Sequence, residues 1–127
     1  MGTRFICVAE CIAHDNYKRA LVRAHDRSTM TTGHSIGHPL RALRNPMTRS
    51  FQELERSGIS EEEIIEFGTG KLRLAVEEGD MTQGSVLAGQ ICGLIGEVLP
   101  VQDLIAGMIA QAEETVEQLN AFAGQEA

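Results

Sequence analysis

The sequence predicts a mostly helical α/β chain with one or two short strands, on three observations. Only two short runs are apolar and β-branched enough for strands, Thr3–Val8 and Arg27–Thr32. Helix starts are punctuated by capping residues or proline at Asp15, Asn45-Pro46, Ser60 and Pro100. The last stretch carries one unbroken apolar stripe at helical spacing.

In chain order, Thr3–Val8 reads as a buried strand. Asp15 caps a helix through Ala24, with Tyr17, Ala20, Leu21 and Ala24 on one face and Lys18, Arg19 and Arg23 on the other. Arg27–Thr32 is the second strand. The breaker-rich segment from Gly33 to Pro39 is a loop, and Leu40–Leu43 a brief helical turn. Asn45-Pro46 opens a helix with Phe51 and Leu54 facing inward, closed by Gly58. Ser60 and Glu63 form a capping box for a short helix stopped by Gly68 and Gly70. Lys71–Glu78 is a further helix, closed by Gly79-Asp80. Gly84–Ile95 holds small residues at helical spacing, with Gln90 inside an apolar face; tight packing is the simpler reading of its glycines. Pro100 starts the longest helix, striped by Leu104, Ile105, Met108, Ile109, Ala112, Val116 and Leu119 and ended by Gly124. At about 1.5 Å per residue it spans about 36 Å, a length that calls for a packing partner. Two strands do not make an independent sheet, so the chain is a helical domain with a hairpin or its sheet is completed elsewhere.

Composition narrows the function classes. The 127 residues are 43% hydrophobic and 23% charged, which is globular rather than disordered. Aromatics make up 4% with no Trp, which argues against stacking platforms for single-stranded nucleic acid. Three cysteines, an odd number, exclude a complete disulfide scaffold and fit a reducing cytoplasm. No run approaches the about 18 apolar residues of a membrane span; Val86–Leu99 is interrupted by Gln90 and Glu97. The chain opens inside an apolar run, which predicts that a longer protein precedes it. Residues 1–58 carry nine Lys/Arg against five Asp/Glu, a balance of +4, while residues 59–127 carry two against thirteen, −11. A basic half points to anionic ligands there and a solvated acidic surface on the rest.

Most chemical motifs fail on their spacing. Gly68-Thr69-Gly70-Lys71-Leu72 lacks the first glycine and the Ser/Thr of a phosphate loop, and Arg73 stands where a dinucleotide fingerprint needs glycine. Cys7-x3-Cys11 and His34-x3-His38 suit zinc pairs, but 22 residues separate them where about 12–15 are usual, so no metal is assigned and Cys7 is a core residue. No Gly-x-Ser-x-Gly elbow exists. His14 and His25 flank a helix as cap or surface residues. His34 and His38 lie in a Gly-bounded loop beside Arg41 and Arg44, where a ligand contact and a plain surface loop weigh about evenly. A Gly2-Thr3 pair at a strand end offers backbone N–H groups and a hydroxyl to phosphate.

Four segments taken together are more specific. Met-Gly-Thr-Arg-Phe (1–5), Ala-His-Asp-Asn-Tyr-Lys (13–18), Gly-His-Pro-Leu-Arg-Ala-Leu-Arg-Asn (37–45) and Gly-Ser-Val-Leu-Ala-Gly-Gln-Ile-Cys-Gly-Leu-Ile (84–95) resemble, in order and spacing, the C-terminal part of a flavoenzyme family. That family comprises the nitronate monooxygenases and the FMN-dependent enoyl-(acyl carrier protein) reductases. The resemblance implies the C-terminal portion of a TIM (β/α)8 barrel, a fold of about 250 residues in full. It implies residues 1–9 as the end of a late barrel strand with the FMN-phosphate segment, and 10–60 as an inserted small domain. Residues 61–99 become the last helical region of the barrel and 100–127 the C-terminal helix.

The implied cofactor is FMN, its phosphate held by Met1, Gly2 and Thr3, with NAD(P)H as co-substrate in the reductase branch. His34, His38 and Arg41 are the weaker expectation for substrate contact. The implied activity is oxidation of alkyl nitronates with O2, or alternatively reduction of an enoyl thioester; the family histidine lies upstream of this chain, so no catalytic residue is assigned within it. A third reading is an inactive helical unit that oligomerises through the Leu104–Leu119 stripe. The expected partners are a small nitronate or thioester and a second copy or the rest of the barrel, with no nucleic acid and no membrane.

Overall fold

The computed structural model describes residues 1–124; the end of the expected 100–127 segment lies outside the described residues. The chain opens not with a strand but with a short helix, α1 (Gly2–Ile6). The Met1 carbonyl accepts from the N–H groups of Arg4 (3.0 Å) and Phe5 (3.3 Å), and this local closure overrides the strand preference of Phe5 and Ile6. Strand character survives only at Val8, which pairs parallel with Leu99.

Helix α2 (Asp15–Val22) is capped by His14 rather than by the expected Asp15: its Nδ1 accepts from the Asn16 N–H at 3.0 Å. The His14 ring is seated over Gly79, whose φ of +68° already favours glycine, and a Cβ there would run into the ring. Strands β1 (Thr29–Thr32) and β2 (Leu40–Leu43) form an antiparallel hairpin around the 33–39 loop, with Thr31 opposite Arg41 and Thr32 opposite Leu40. Leu40–Leu43 is therefore a strand and not a helical turn. Its outer edge is occupied from far along the chain: the Leu43 N–H donates to Val86 O (2.8 Å) and the Ala88 N–H to Arg41 O (3.1 Å).

Helix α3 (Pro46–Ser57) starts as the sequence predicts. Asn45 and Thr48 satisfy each other's backbone donors, and Gly58 ends the helix at φ +73°. Asn45 also donates from Nδ2 to Met81 O and Gly84 O, both at 2.8 Å, which ties the cap to the 81–84 turn. The Ser60/Glu63 box opens α4 (Glu61–Gly68). Helix α5 (Lys71–Arg73) runs into a widened π turn, Leu74–Glu78.

Ser85–Gly89 is extended rather than helical, and Gln90–Leu94 is a single 3-10 turn that leaves Gln90 exposed. The glycines of this stretch mark close approach: a Cβ on Gly84 would meet Ala75 N at 2.7 Å. Helix α6 (Val101–Ala123) has no side-chain cap of its own; Glu10 supplies one, its Oε2 accepting from the Val101 N–H at 2.9 Å.

One core gathers Cys7, Tyr17, Leu21, Leu43, Val86, Cys92 and Ile95 from the whole length up to residue 95. A second, smaller cluster joins Met47, Phe51 and Ile64, with Phe67 tilted against Phe51 at 6.1 Å. Of the α6 stripe only Leu104 is buried; Ile109, Val116 and Leu119 are more than half exposed. No described helix is long and apolar enough to cross a membrane.

Candidate functional site

Thr3 and Gly89 are 86 residues apart in sequence, yet the Gly89 N–H donates to Thr3 Oγ1 at 3.0 Å. The hydroxyl serves here as an acceptor, which leaves its own proton available to a second group. At the start of α1 the N–H groups of Gly2 and Thr3 have no intrahelical acceptor, as in any first turn. Nothing lies within 4 Å of where a Gly2 Cβ would stand, so this turn faces open space. Met1 is 80% exposed; its carbonyl closes the turn.

The extended Ser85–Gly89 segment runs from this turn to a second feature. Leu87, two residues or about 7 Å of extended chain from Gly89, lines an apolar cavity of about 270 Å³ together with Ile36, His38, Leu40, Phe51 and Ile64. The segment is held in place by Tyr17, whose hydroxyl donates to Leu87 O at 2.7 Å. Tyr17 is almost fully buried, and burial pushes its phenol up to about 12, so it remains a neutral donor.

Of the expected substrate group, only His38 reaches the cavity. His34 is exposed on the 33–39 loop, outside the cavity lining. Arg41 alternates to the opposite hairpin face and donates from Nη1 to Thr29 Oγ1 at 3.1 Å. The loop is pinned from α3 by Glu55, whose Oε1 accepts from the Ser35 N–H (3.0 Å) and hydroxyl (2.9 Å). Burial pushes the Glu55 carboxyl up. The N–H groups of Ser35 and Gly33, the Ser35 hydroxyl and nearby His34 outweigh that and hold it below its usual range.

Cys7 and Cys92 are fully buried, and desolvation raises both thiols, so they serve as small core residues. Among the described residues no three or more His, Cys, Asp or Glu side chains gather as a metal site.

Sequence reasoning singled out Gly2, Thr3 and His38 but not Tyr17 or Glu55. Tyr17 carried a signal, as the chain's only tyrosine on the apolar face of α2. Glu55 carried none, because its partner sits 20 residues away on a loop.

The sequence profile of the nitronate monooxygenase family matches residues 1–111. A curated nitronate monooxygenase from Paraburkholderia phytofirmans is 29% identical over 125 residues, 97% of this chain and 34% of that protein. The structure of FabK from Thermotoga maritima is similar over 96% of this chain and 39% of its own, with a TM-score of 0.90 and 42% identity. A single-site mutant of that FabK matches with a TM-score of 0.81 and 40% identity, over 96% of this chain and 36% of its own. The chain thus spans well under half the length of these relatives, and the α/β fold it shares with FabK is present here as a mostly helical part with a two-stranded sheet. On the profile match over most of its length, this chain belongs to the nitronate monooxygenase family of flavin-dependent oxidoreductases.

Proposed function

We propose that this chain is the C-terminal portion of an FMN-dependent oxidoreductase, contributing the flavin-phosphate turn and part of the substrate cavity. The observation that carries this is the Thr3–Gly89 hydrogen bond. It sets an open turn, whose N–H groups have no intrahelical acceptor, at one end of the Ser85–Gly89 segment whose Leu87 lines the apolar cavity.

The residues fit the phosphate end of FMN. Two backbone donors, a hydroxyl with its proton available and a glycine without a side chain allow an anion to approach the backbone closely. When bound, FMN supplies the hydride- and electron-transfer chemistry that no side chain here provides. Gly2 and Thr3 hold and orient the phosphate. Leu87, Ile36 and Phe51 exclude water from an apolar substrate chain, and His38 joins the hydroxyls of Thr32, Thr69 and Ser85 as the polar groups on the cavity wall.

Reduction of an enoyl thioester with NAD(P)H is the finer reading we favour, because identity to FabK, an enoyl-(acyl carrier protein) reductase, is 42% against 29% to the curated nitronate monooxygenase. Oxidation of an alkyl nitronate with O2 is the alternative. In the flavin-loaded protein under anaerobic conditions, bleaching of the flavin by NAD(P)H supports the first and bleaching by a nitronate the second.

The phosphate assignment is tested by titrating the chain into FMN and into riboflavin, which lacks the phosphate, and following flavin fluorescence. FMN is expected to bind at least about tenfold more tightly, the worth of a hydrogen bond to a charged group. Gly2→Val, whose side chain enters open space and leaves the fold intact, is expected to remove that preference. Equal binding of the two flavins, or an indifferent Gly2→Val, overturns the assignment.

A further inference from the structure

A second cavity, of about 340 Å³, lies on the hairpin face opposite to the apolar one: Leu43 lines it, whereas Leu40 and Ala42 line the other. Its wall carries Arg23, Arg27 and Arg44 with His25. Among the described residues none of these three guanidinium groups has a carboxylate within ion-pair distance; the arginine–carboxylate pair there is Arg73–Glu77, and Asp26 lies 3.8 Å from His25 Nδ1. The chain holds 18 acidic residues, so partners abound, yet this cluster is left unneutralised. Like charges around one concavity repel each other and focus a positive potential into it. The negative end of the α2 dipole, about half a charge, is outweighed by three guanidinium groups.

The wall is also preorganised. Arg44 donates from Nε to Arg27 O (3.2 Å), which fixes its plane and leaves both terminal nitrogens to a ligand. The Arg44 N–H donates to Ser28 O (2.8 Å), and the Ser28 hydroxyl accepts from the His25 N–H (2.9 Å). His25 Nδ1 accepts from the Arg27 N–H (3.4 Å), which holds the ring beside the wall. Guanidinium forks match the oxygens of a phosphoryl group better than any point charge does. The rest of the lining is apolar, from Ala20, Ala24 and Leu43, and the volume exceeds what a bare phosphate fills.

We propose that this cavity binds an organic phosphate, its phosphoryl oxygens on Arg23, Arg27 and Arg44 and its organic part over Ala20, Ala24 and Leu43. It shares no residue with the Gly2–Thr3 turn or with the apolar cavity, so the proposal stands apart from the flavin reading.

The test uses the full chain and three probes, inorganic pyrophosphate, inorganic phosphate and phenyl phosphate, followed by calorimetry and by backbone amide NMR. Expected are saturable one-to-one binding that weakens with salt, and amide shifts at Ala24, Arg27, Ser28 and Arg44. Phenyl phosphate is expected to bind more tightly than inorganic phosphate. Arg23→Gln, whose side chain makes no hydrogen bond among the described residues, is expected to weaken pyrophosphate about tenfold. Arg56→Gln, on α3 away from the cavity, is expected to change it less than about twofold, the share of a distant screened charge. The proposal is overturned by absence of saturable binding, by shifts confined to Gly2, Thr3 and Gly89, or by equal weakening in the two variants.

Discussion

Tyr17 is the chain's only tyrosine, so tyrosinate absorbance titrates one known group. Its folded pKa lies at about 12, above the ordinary tyrosine value of 10.0, because burial disfavours the charged form. A group raised in this way contributes stability below its unfolded pKa and loses it as pH rises through the folded one. Between about pH 10 and 12 the loss amounts to about 3 kcal/mol, at about 1.4 kcal/mol per unit. A titration midpoint near 12 that collapses toward 10 in denaturant is the expected result. Tyr17→Phe leaves the Leu87 carbonyl without its donor and is expected to cost about 1–3 kcal/mol in urea unfolding.

Asn45→Ala removes a helix cap and two further bonds to Met81 and Gly84 at once, and a loss of more than about 3 kcal/mol is expected in the same assay. The Asn45 cap was legible because Asn-Pro before an apolar run is a local signature. For α2 the sequence offered Asp15 as the cap and His14 as a cap or surface residue; what it did not show is that the ring nitrogen takes the role against Gly79, far along the chain. The Thr3–Gly89 bond was equally invisible: each partner stood out singly, but nothing local pairs residues so far apart.

At the scale of elements, α6 is legible from its stripe alone, and the stripe is where periodicity and packing part company. Leu104 is 7% exposed and Ile109 is 55% exposed, although both belong to one pattern. Leu104→Ala is therefore expected to cost about 2–3 kcal/mol in thermal or urea unfolding. Ile109→Lys is expected to stay within about 0.5 kcal/mol, as at other exposed positions. Two of the misread elements show what overrode the local preference. Leu40–Leu43 is extended because Val86 and Ala88 complete its outer edge, and Thr3–Val8 is mostly helical because Met1 closes a turn beneath it. A tertiary partner decided the first and a local turn the second, and short apolar runs carry too little periodicity to foretell either.

For the whole molecule, stability is expected to fall on the acid side as well. Glu63 is held below its usual range by the Ser60 N–H and hydroxyl, and Asp80 by the N–H groups of Gln83 and Thr82. Depressed carboxylates contribute stability above their unfolded pKa and lose it as pH falls through the folded value. Urea midpoints measured from neutral pH downward are therefore expected to decline below the ordinary carboxylate range. Glu63→Gln is expected to flatten part of that decline. The family was legible from four ordered segments. The arginine-lined cavity was not, beyond the basic balance of residues 1–58, because Arg23, Arg27 and Arg44 are gathered only when α2 turns into the hairpin.

The pairing of Val8 with Leu99, reinforced by Glu10 on Val101, bears on how this chain reaches its native state. Bringing residue 10 to residue 101 closes a loop of about 91 residues, at an entropic cost of about 4 kcal/mol. The hairpin and the capped helices α3 and α4 close over far shorter separations and can form first. The seam between the opening segment and the base of α6 is then the last to zip during folding and the first to fray. In hydrogen exchange, the Ala9 and Leu99 amides should lose protection ahead of the hairpin.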